Sequence, residues 1–221
     1  MKKNLLFGTI CLFVSILGCA DKRKYHDAVK SDIASDNSEM VMEILLFQKE
    51  LNEEFKNPET SPLPDRYRKD FEGLDFFQPD TSFRVIAFLE RTADAIPFMM
   101  PTTTDRLSEE VVYAVADFTL NGQKYSLEVY QNLELMETAE YKDYLFLPFL
   151  DNTNGDETYA GGRYLDLAIP EGNSVILDFN RAYNPYCAYN KKYSCPIVPK
   201  RNYLNTKIMA GVRSFKQKSK K

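Results

Sequence analysis

With 221 residues, 44% of them hydrophobic and 27% charged, and with 9 Gly and 11 Pro, the chain has the composition of a globular protein of one domain or at most two small ones. That composition excludes a disordered, collagenous or multi-pass membrane protein. A formal net charge of -4 gives no basic footprint, so no nucleic-acid partner is expected.

Met1 is followed by Lys2 and Lys3 and then by an apolar run from Leu5 to Leu17, the charged and hydrophobic parts of a signal peptide over residues 1–18. The run is shorter than the ~20 residues that cross a bilayer. It closes with Ile16-Leu17-Gly18-Cys19, which resembles the lipobox of bacterial lipoproteins. That resemblance implies that Cys19 is lipidated and anchors the protein to a membrane of the cell envelope, with the domain outside the cytoplasm. Several acyl chains hold firmly where one binds only marginally. The other reading is a plain secretory signal with an incidental Cys. Processing leaves 26 basic and 32 acidic residues, net -6. Residues 19–37 read as a polar tether, in which Lys22-Arg23-Lys24 either meet anionic headgroups or form a solvated linker. The tether carries the only His, His26.

A single β-rich domain is expected over residues 38–215, with a basic tail at 216–221. It opens with a helix over Ser38–Lys56, where Met40, Ile44, Phe47, Leu51 and Phe55 form one apolar stripe. Asp36 and Glu39 resemble a capping box at its start, and Asn57-Pro58 stops it. Strands follow. Phe83, Val85, Ala87 and Leu89 alternate with Arg84, Ile86, Phe88 and Glu90, and a short run covers Ile96 to Met100. Asn121-Gly122 joins Val111–Leu120 to Gln123–Gln131 as a hairpin with a two-residue turn. Its register puts Phe118 opposite Tyr125, Ala116 opposite Leu127 and Ala114 opposite Val129. Tyr144–Phe149, Arg163–Ile169 and Ser174–Asn180 complete the set, the last two joined through Pro170-Glu171-Gly172-Asn173. Short strands without intervening helices predict a mainly β fold, an antiparallel sandwich or barrel with an N-terminal α-helix.

One His in the tether leaves no imidazole for a Ser-His-Asp or Cys-His relay. Too few His and Cys remain for a zinc site, and no glycine-rich phosphate loop is present, so no metal and no cofactor are expected. The stretch Asp151 to Glu157 resembles a calcium loop but misplaces its Gly and lacks the closing Glu. Asp151, Asp156, Glu157, Asp166 and Asp178 remain. Paired carboxylates do acid–base work when buried together, and otherwise cap turns or pair with Arg163 and Arg181.

From Asp178 to Pro199 the chain reads as a long loop carrying Tyr183, Tyr186, Tyr189 and Tyr193 among Asn and Arg residues. Cys187 and Cys195 are an even pair in an oxidising compartment, and a bridge between them would remove roughly 2.5 kcal/mol of unfolded-state entropy. A rigid loop of this composition suits a polar, ring-shaped ligand. Alternatively, the tyrosines pack over the cysteines and the polar groups satisfy the loop backbone.

Three strings carry a family resemblance: Phe71-Glu72-Gly73-Leu74; Asp151-x-Thr153-x-Gly155 running through Thr158-Tyr159 to Gly162-Arg163-Tyr164-Leu165; and Asp178-Phe179-Asn180-x-Ala182-Tyr183-Asn184-Pro185 with Cys187 and Cys195-Pro196. On these the chain resembles domain of unknown function 1684, over about Glu50 to Gly211. Two family glutamates are replaced here, by Arg201 and Val212. The family implies no activity. The residues favour a lipid-anchored protein binding a small polar ligand such as a glycan at Asp151, Arg163, Tyr164, Asp178, Asn180, Arg181, Tyr183 and Asn184. Rival readings are a hydrolase using Asp151, Asp166 or Asp178, and a structural envelope lipoprotein without a pocket.

Overall fold

The computed structural model describes residues 25–216, with side chains from residue 37 onward. The chain forms two compact units, Met1–Asp36 and Asn37–Lys221, and every strand lies in the second. The signal peptide, Cys19 and all but the first residue of the basic tail lie outside the described residues.

The first helix, α1 (Tyr25–Lys56), starts well before Ser38. Asp36 and Glu39 therefore fall within it rather than at its start. Neither Gly nor Pro occurs between Tyr25 and Lys56, so no residue there stops the helix. Its end is as expected, with the Asn57 amide closing on the Glu53 and Glu54 carbonyls ahead of Pro58. The apolar stripe faces inward: Ile44 and Phe55 are buried, and Met40, Phe47 and Leu51 are half-buried. A short helix, α2 (Asp65–Arg68), follows.

The strands are β1 (Arg84–Arg91), β2 (Phe98–Pro101), β3 (Leu107–Leu120), β4 (Gln123–Asn132), β5 (Tyr144–Asp151), β6 (Arg163–Ala168), β7 (Ser174–Asp178) and β8 (Tyr203–Leu204). Six of them pair antiparallel in the order β6–β5–β4–β3–β1–β7. Beyond β7 the chain returns to β6, where Tyr164 and Tyr183 exchange both backbone hydrogen bonds at 2.9 and 3.1 Å. The sheet is thus a nearly closed barrel, which removes most of its free edge. β2 extends β3 past the end of β1, and β8 lies parallel beside β5. β7 ends at Asp178 rather than Asn180, because the Asp178 carboxylate accepts the Asn180 amide at 3.0 Å and turns the chain into a 3-10 helix over Phe179–Arg181.

The β3–β4 hairpin keeps the expected register, with Phe118 opposite Tyr125, Ala116 opposite Leu127 and Ala114 opposite Val129. Asn121 and Gly122 take φ values of 50° and 76°, as a type I′ turn requires. β3, however, begins four residues before Val111 and carries a bulge at Tyr113, so that Val112 faces Tyr130 while Ala114 faces Val129. One extra residue exchanges the two faces of a strand. Past the bulge, Ala114, Ala116 and Phe118 enter the barrel core with Leu127, Val129, Leu145, Leu147, Phe149, Leu165, Leu177 and Phe179. Before it, Ser108, Glu110 and Val112 stand on the outer face with Tyr130 and Asn132. There a second apolar cluster forms from Met100, Tyr130, Phe146, Tyr164 and Val198.

Candidate functional site

Side chains alternate across a strand, so the residues of β5 and β6 that do not enter the core share its outer face. Among these are Tyr144 and Phe146 on β5 and Tyr164 and Asp166 on β6, opposite the core residues Leu145, Leu147 and Leu165. Beside them lie Ser108 and Glu110 from the bulged end of β3 and Asn132 from β4. The second half of α1 covers this face with Phe47, Leu51, Glu54 and Phe55, and the loop after β7 covers it with Tyr183 to Tyr186 and Tyr193 to Pro196. Between them is a cleft of about 570 Å³.

Two features give the cleft its chemistry. On one wall, Asp166 accepts the hydroxyls of Tyr144 at 2.7 Å and Tyr183 at 2.6 Å on the same carboxylate oxygen. Burial, followed by the Asp166 charge, holds both phenols far above their ordinary range, so they remain neutral donors. On another wall, Glu110 is 2% exposed. Its Oε1 accepts from Ser108 and Asn132, both at 2.8 Å, while its Oε2 is buried without a partner. Desolvation raises the Glu110 carboxyl above its ordinary value of 4.5, against the hydrogen bonds from Asn132 and Ser108 and the charge of Arg106. Asn184 adds a second orphan acceptor. Its amide nitrogen donates to the Arg213 carbonyl at 3.0 Å and the Tyr189 hydroxyl at 3.3 Å, which leaves its buried Oδ1 unpartnered.

The eight residues expected to bind ligand do not form one site. Tyr164, Tyr183 and Asn184 line the cleft. Arg163 precedes Tyr164 on β6 and so points the other way, into the barrel, where neither it nor the Asp151 carboxylate side chain has any exposure. Its Nη2 donates to Asp151 Oδ2 at 2.8 Å and to the Ile208 carbonyl at 2.9 Å, and its Nη1 to the Ala210 carbonyl. Burial lowers the guanidinium pKa, and the Asp151 charge opposes that shift. Asp178 and Asn180 are also buried, tying the end of β7 to Asp80, whose amide donates to Asn180 Oδ1 at 3.0 Å. Arg181 is exposed, with its guanidinium 5.0 Å from the Phe47 ring centre. Asp151, Arg163, Asp178 and Asn180 are therefore framework. Of the acids weighed for catalysis, Asp166 reaches the cleft and Asp151 and Asp178 do not.

Arg201 and Val212, where the resemblance implies family glutamates, also lie outside the cleft. Arg201 pairs with Glu128 on the surface of β4, and Val212 is packed in the core with its amide bonded to the Ala182 carbonyl at 2.9 Å.

The expected Cys187–Cys195 bridge is not formed, and both residues are free thiols. The loop is held by hydrogen bonds instead: Cys187 N–H to Cys195 Sγ at 3.2 Å, Thr103 N–H to the Cys195 carbonyl at 2.9 Å, and Cys195 N–H to Thr103 Oγ1 at 3.1 Å. Interaction with the Cys195 thiol lowers the Cys187 pKa below the ordinary thiol value. Alkylation of Cys187 by iodoacetamide should therefore set in at lower pH than that of an ordinary thiol. Mass-spectrometric rates should show Cys195→Ala moving that profile toward the ordinary thiol range.

Among known proteins, residues 69–213 match the family described as protein of unknown function (DUF1684). The chain is also similar to an uncharacterised protein of Haloarcula marismortui whose solution NMR structure is known. The identity is 33%, the match covers 81% of this chain and 96% of that one, and the TM-score is 0.63. A search of the curated proteins finds no match.

Proposed function

The chain belongs to the DUF1684 family, and from that premise we propose that the cleft between α1 and the outer face of β3–β6 is a binding site for a polar, ring-bearing ligand such as a glycan. The observation that carries this reading is the pair of buried acceptors, Glu110 Oε2 and Asn184 Oδ1, that meet no donor among the described residues. A buried acceptor without a partner costs about 1–3 kcal/mol, which a ligand supplying N–H or O–H groups recovers. Tyr164, Tyr183 and Tyr186 offer ring faces and edges on which a flat ligand packs. We further propose that Cys19 is lipidated and holds the domain on a membrane of the cell envelope, outside the cytoplasm. Mass spectrometry of the membrane fraction should find acylated Cys19, and an unmodified Cys19 would remove the anchor.

A thermal-shift screen of neutral and charged oligosaccharides against the protein tests the cleft, since a ligand that binds only the native form raises its melting temperature. A ligand that shifts the wild type should bind Asp166→Asn about tenfold more weakly, in line with one charge-assisted hydrogen bond of ~1.5–3 kcal/mol. Unchanged affinity would place the site elsewhere. One observation favours a second reading, a carboxylate-dependent hydrolase: Glu110 with a raised pKa shares the cleft with Asp166, the acid and base that such chemistry needs. Turnover of a bound oligosaccharide by the wild type, and its loss in Glu110→Gln, would establish that reading.

A further inference from the structure

The cleft has an unbalanced charge. Four carboxylates line it, those of Glu54, Glu110, Glu134 and Asp166, against the single guanidinium of Arg106. That guanidinium is occupied, with Nε donating to the Ser194 hydroxyl at 3.1 Å and Nη2 to the Ser194 carbonyl at 3.0 Å. Glu54 and Asp166 already accept phenolic hydroxyls, from Tyr186 in the first case and from Tyr144 and Tyr183 in the second. Glu110 differs from them: it is the most buried of the four, and Oε2 has no donor. Both orphan groups of the cleft, Glu110 Oε2 and Asn184 Oδ1, are acceptors. An anionic ligand would meet the carboxylates of Glu54, Glu134 and Asp166 there. A neutral one would bring no charge to offset the burial of Glu110, which the Arg106 charge opposes only in part.

Resting on the cleft being the binding site, we infer that its ligand carries a protonated amine, an ammonium on a hydroxyl-bearing ring, whose N–H groups donate to Glu110 Oε2. The ammonium supplies three donors and a full positive charge on a compact head. The tyrosine and phenylalanine rings around it add the attraction of a ring face for a cation. In the free protein burial favours the protonated form of Glu110, and the incoming cation favours the ionised one. Binding therefore releases a proton from Glu110 when the pH lies between the ordinary carboxyl value and the raised one, and weakens as the pH falls through that window. The groups that face Glu110 leave this sign unchanged. Tyr130, Tyr144 and Tyr183 stay neutral throughout, the Arg106 charge opposes the burial of Glu110 only in part, and Glu54, Glu134 and Asp166 are further carboxylates that favour a cation.

The test uses three trisaccharide probes that share a backbone: β-1,4-linked glucosamine, its fully N-acetylated counterpart, and β-1,4-linked glucose. Calorimetry over a pH series above the ordinary carboxyl value, with the amines protonated, should show the glucosamine trimer binding the protein at least tenfold more tightly than the other two. Its heat should vary with buffer ionisation enthalpy in the sense of proton release. Glu110→Gln keeps the size of the side chain and removes its charge, so it should fold, lose the preference for the amine and bind all three trimers alike. Equal affinity of the wild type for the three probes would overturn the ammonium while leaving the cleft as the site. Binding of none of them would overturn both. An amine preference that survives in Glu110→Gln would overturn the assignment to Glu110.

Discussion

Replacing Arg163 by alanine is expected to lower the melting temperature by about 6–20 °C, the effect of ~3–5 kcal/mol in a domain of this size. Arg163 links the β5–β6 pair to the C-terminal segment, because one guanidinium serves Asp151 Oδ2 and the carbonyls of Ile208 and Ala210. Asp151 in turn accepts the Thr153 amide at 2.8 Å, the Thr153 hydroxyl at 2.6 Å and the Ile208 amide at 3.2 Å. Truncation leaves a buried carboxylate without its counter-charge and backbone carbonyls without donors, in an interior that water does not reach. Total stabilities of ~5–15 kcal/mol make this a large fraction of the whole. Asp151→Leu combined with Arg163→Met removes both charges together and should recover part of the loss, since the unpaired charge is the larger cost. Circular-dichroism melts of the single and double variants measure both effects.

Gly211→Ala is expected to cost about 2–6 kcal/mol, combining ~1–3 for a left-handed residue that is not glycine with ~1–3 for forced packing. Gly211 has φ 78°, and a Cβ there would stand 2.6 Å from the Ala182 carbonyl oxygen and 2.7 Å from that of Phe179. Neither oxygen can retreat easily. The Ala182 carbonyl accepts the Val212 amide at 2.9 Å, and Phe179 is fully buried. Gly211 itself accepts the Phe77 amide at 3.0 Å, so the strain reaches the segment before β1. Gly122 is the control. Its φ of 76° is similar, but no atom lies within 4 Å of its missing Cβ, so Gly122→Ala should cost only the conformational ~1–2 kcal/mol. Equal melting temperatures for the two variants would show that the close approach at Gly211 does not matter.

The barrel strands were legible because their signals are local. Asn-Gly between alternating runs set both the turn and the partners of Phe118, Ala116 and Ala114. Alternation in Phe83 to Leu89 likewise marked the buried face of β1, where Ala87 and Leu89 are in the core. The site was less legible for two reasons. Arg163 and Tyr164 are neighbours in sequence, and a strand sends neighbours to opposite faces, so a polar string in one motif was read as one surface when it makes two. Glu110 was missed because Leu107-Ser108-Glu109-Glu110 carries no apolar alternation, and the bulge at Tyr113 that turns it toward the cleft has no signature such as a Gly. A buried acid in a strand of otherwise good pattern was the available clue. Tyr164, Tyr183 and Asn184, which line the cleft, stand out in the sequence because clustered aromatic and amide groups have few uses other than packing or recognition.

The most direct test of the cleft is a chemical-shift titration of the isotopically labelled protein with the glucosamine trimer. The proposed geometry predicts that perturbed amides cluster at Ser108 to Glu110, Asn132, Tyr144, Asp166 and Tyr183 to Tyr186, the strands and loop that meet over the outer face of the barrel. Perturbations confined to Asp75 to Asp80 and Arg213, or none at saturating trimer, would contradict it.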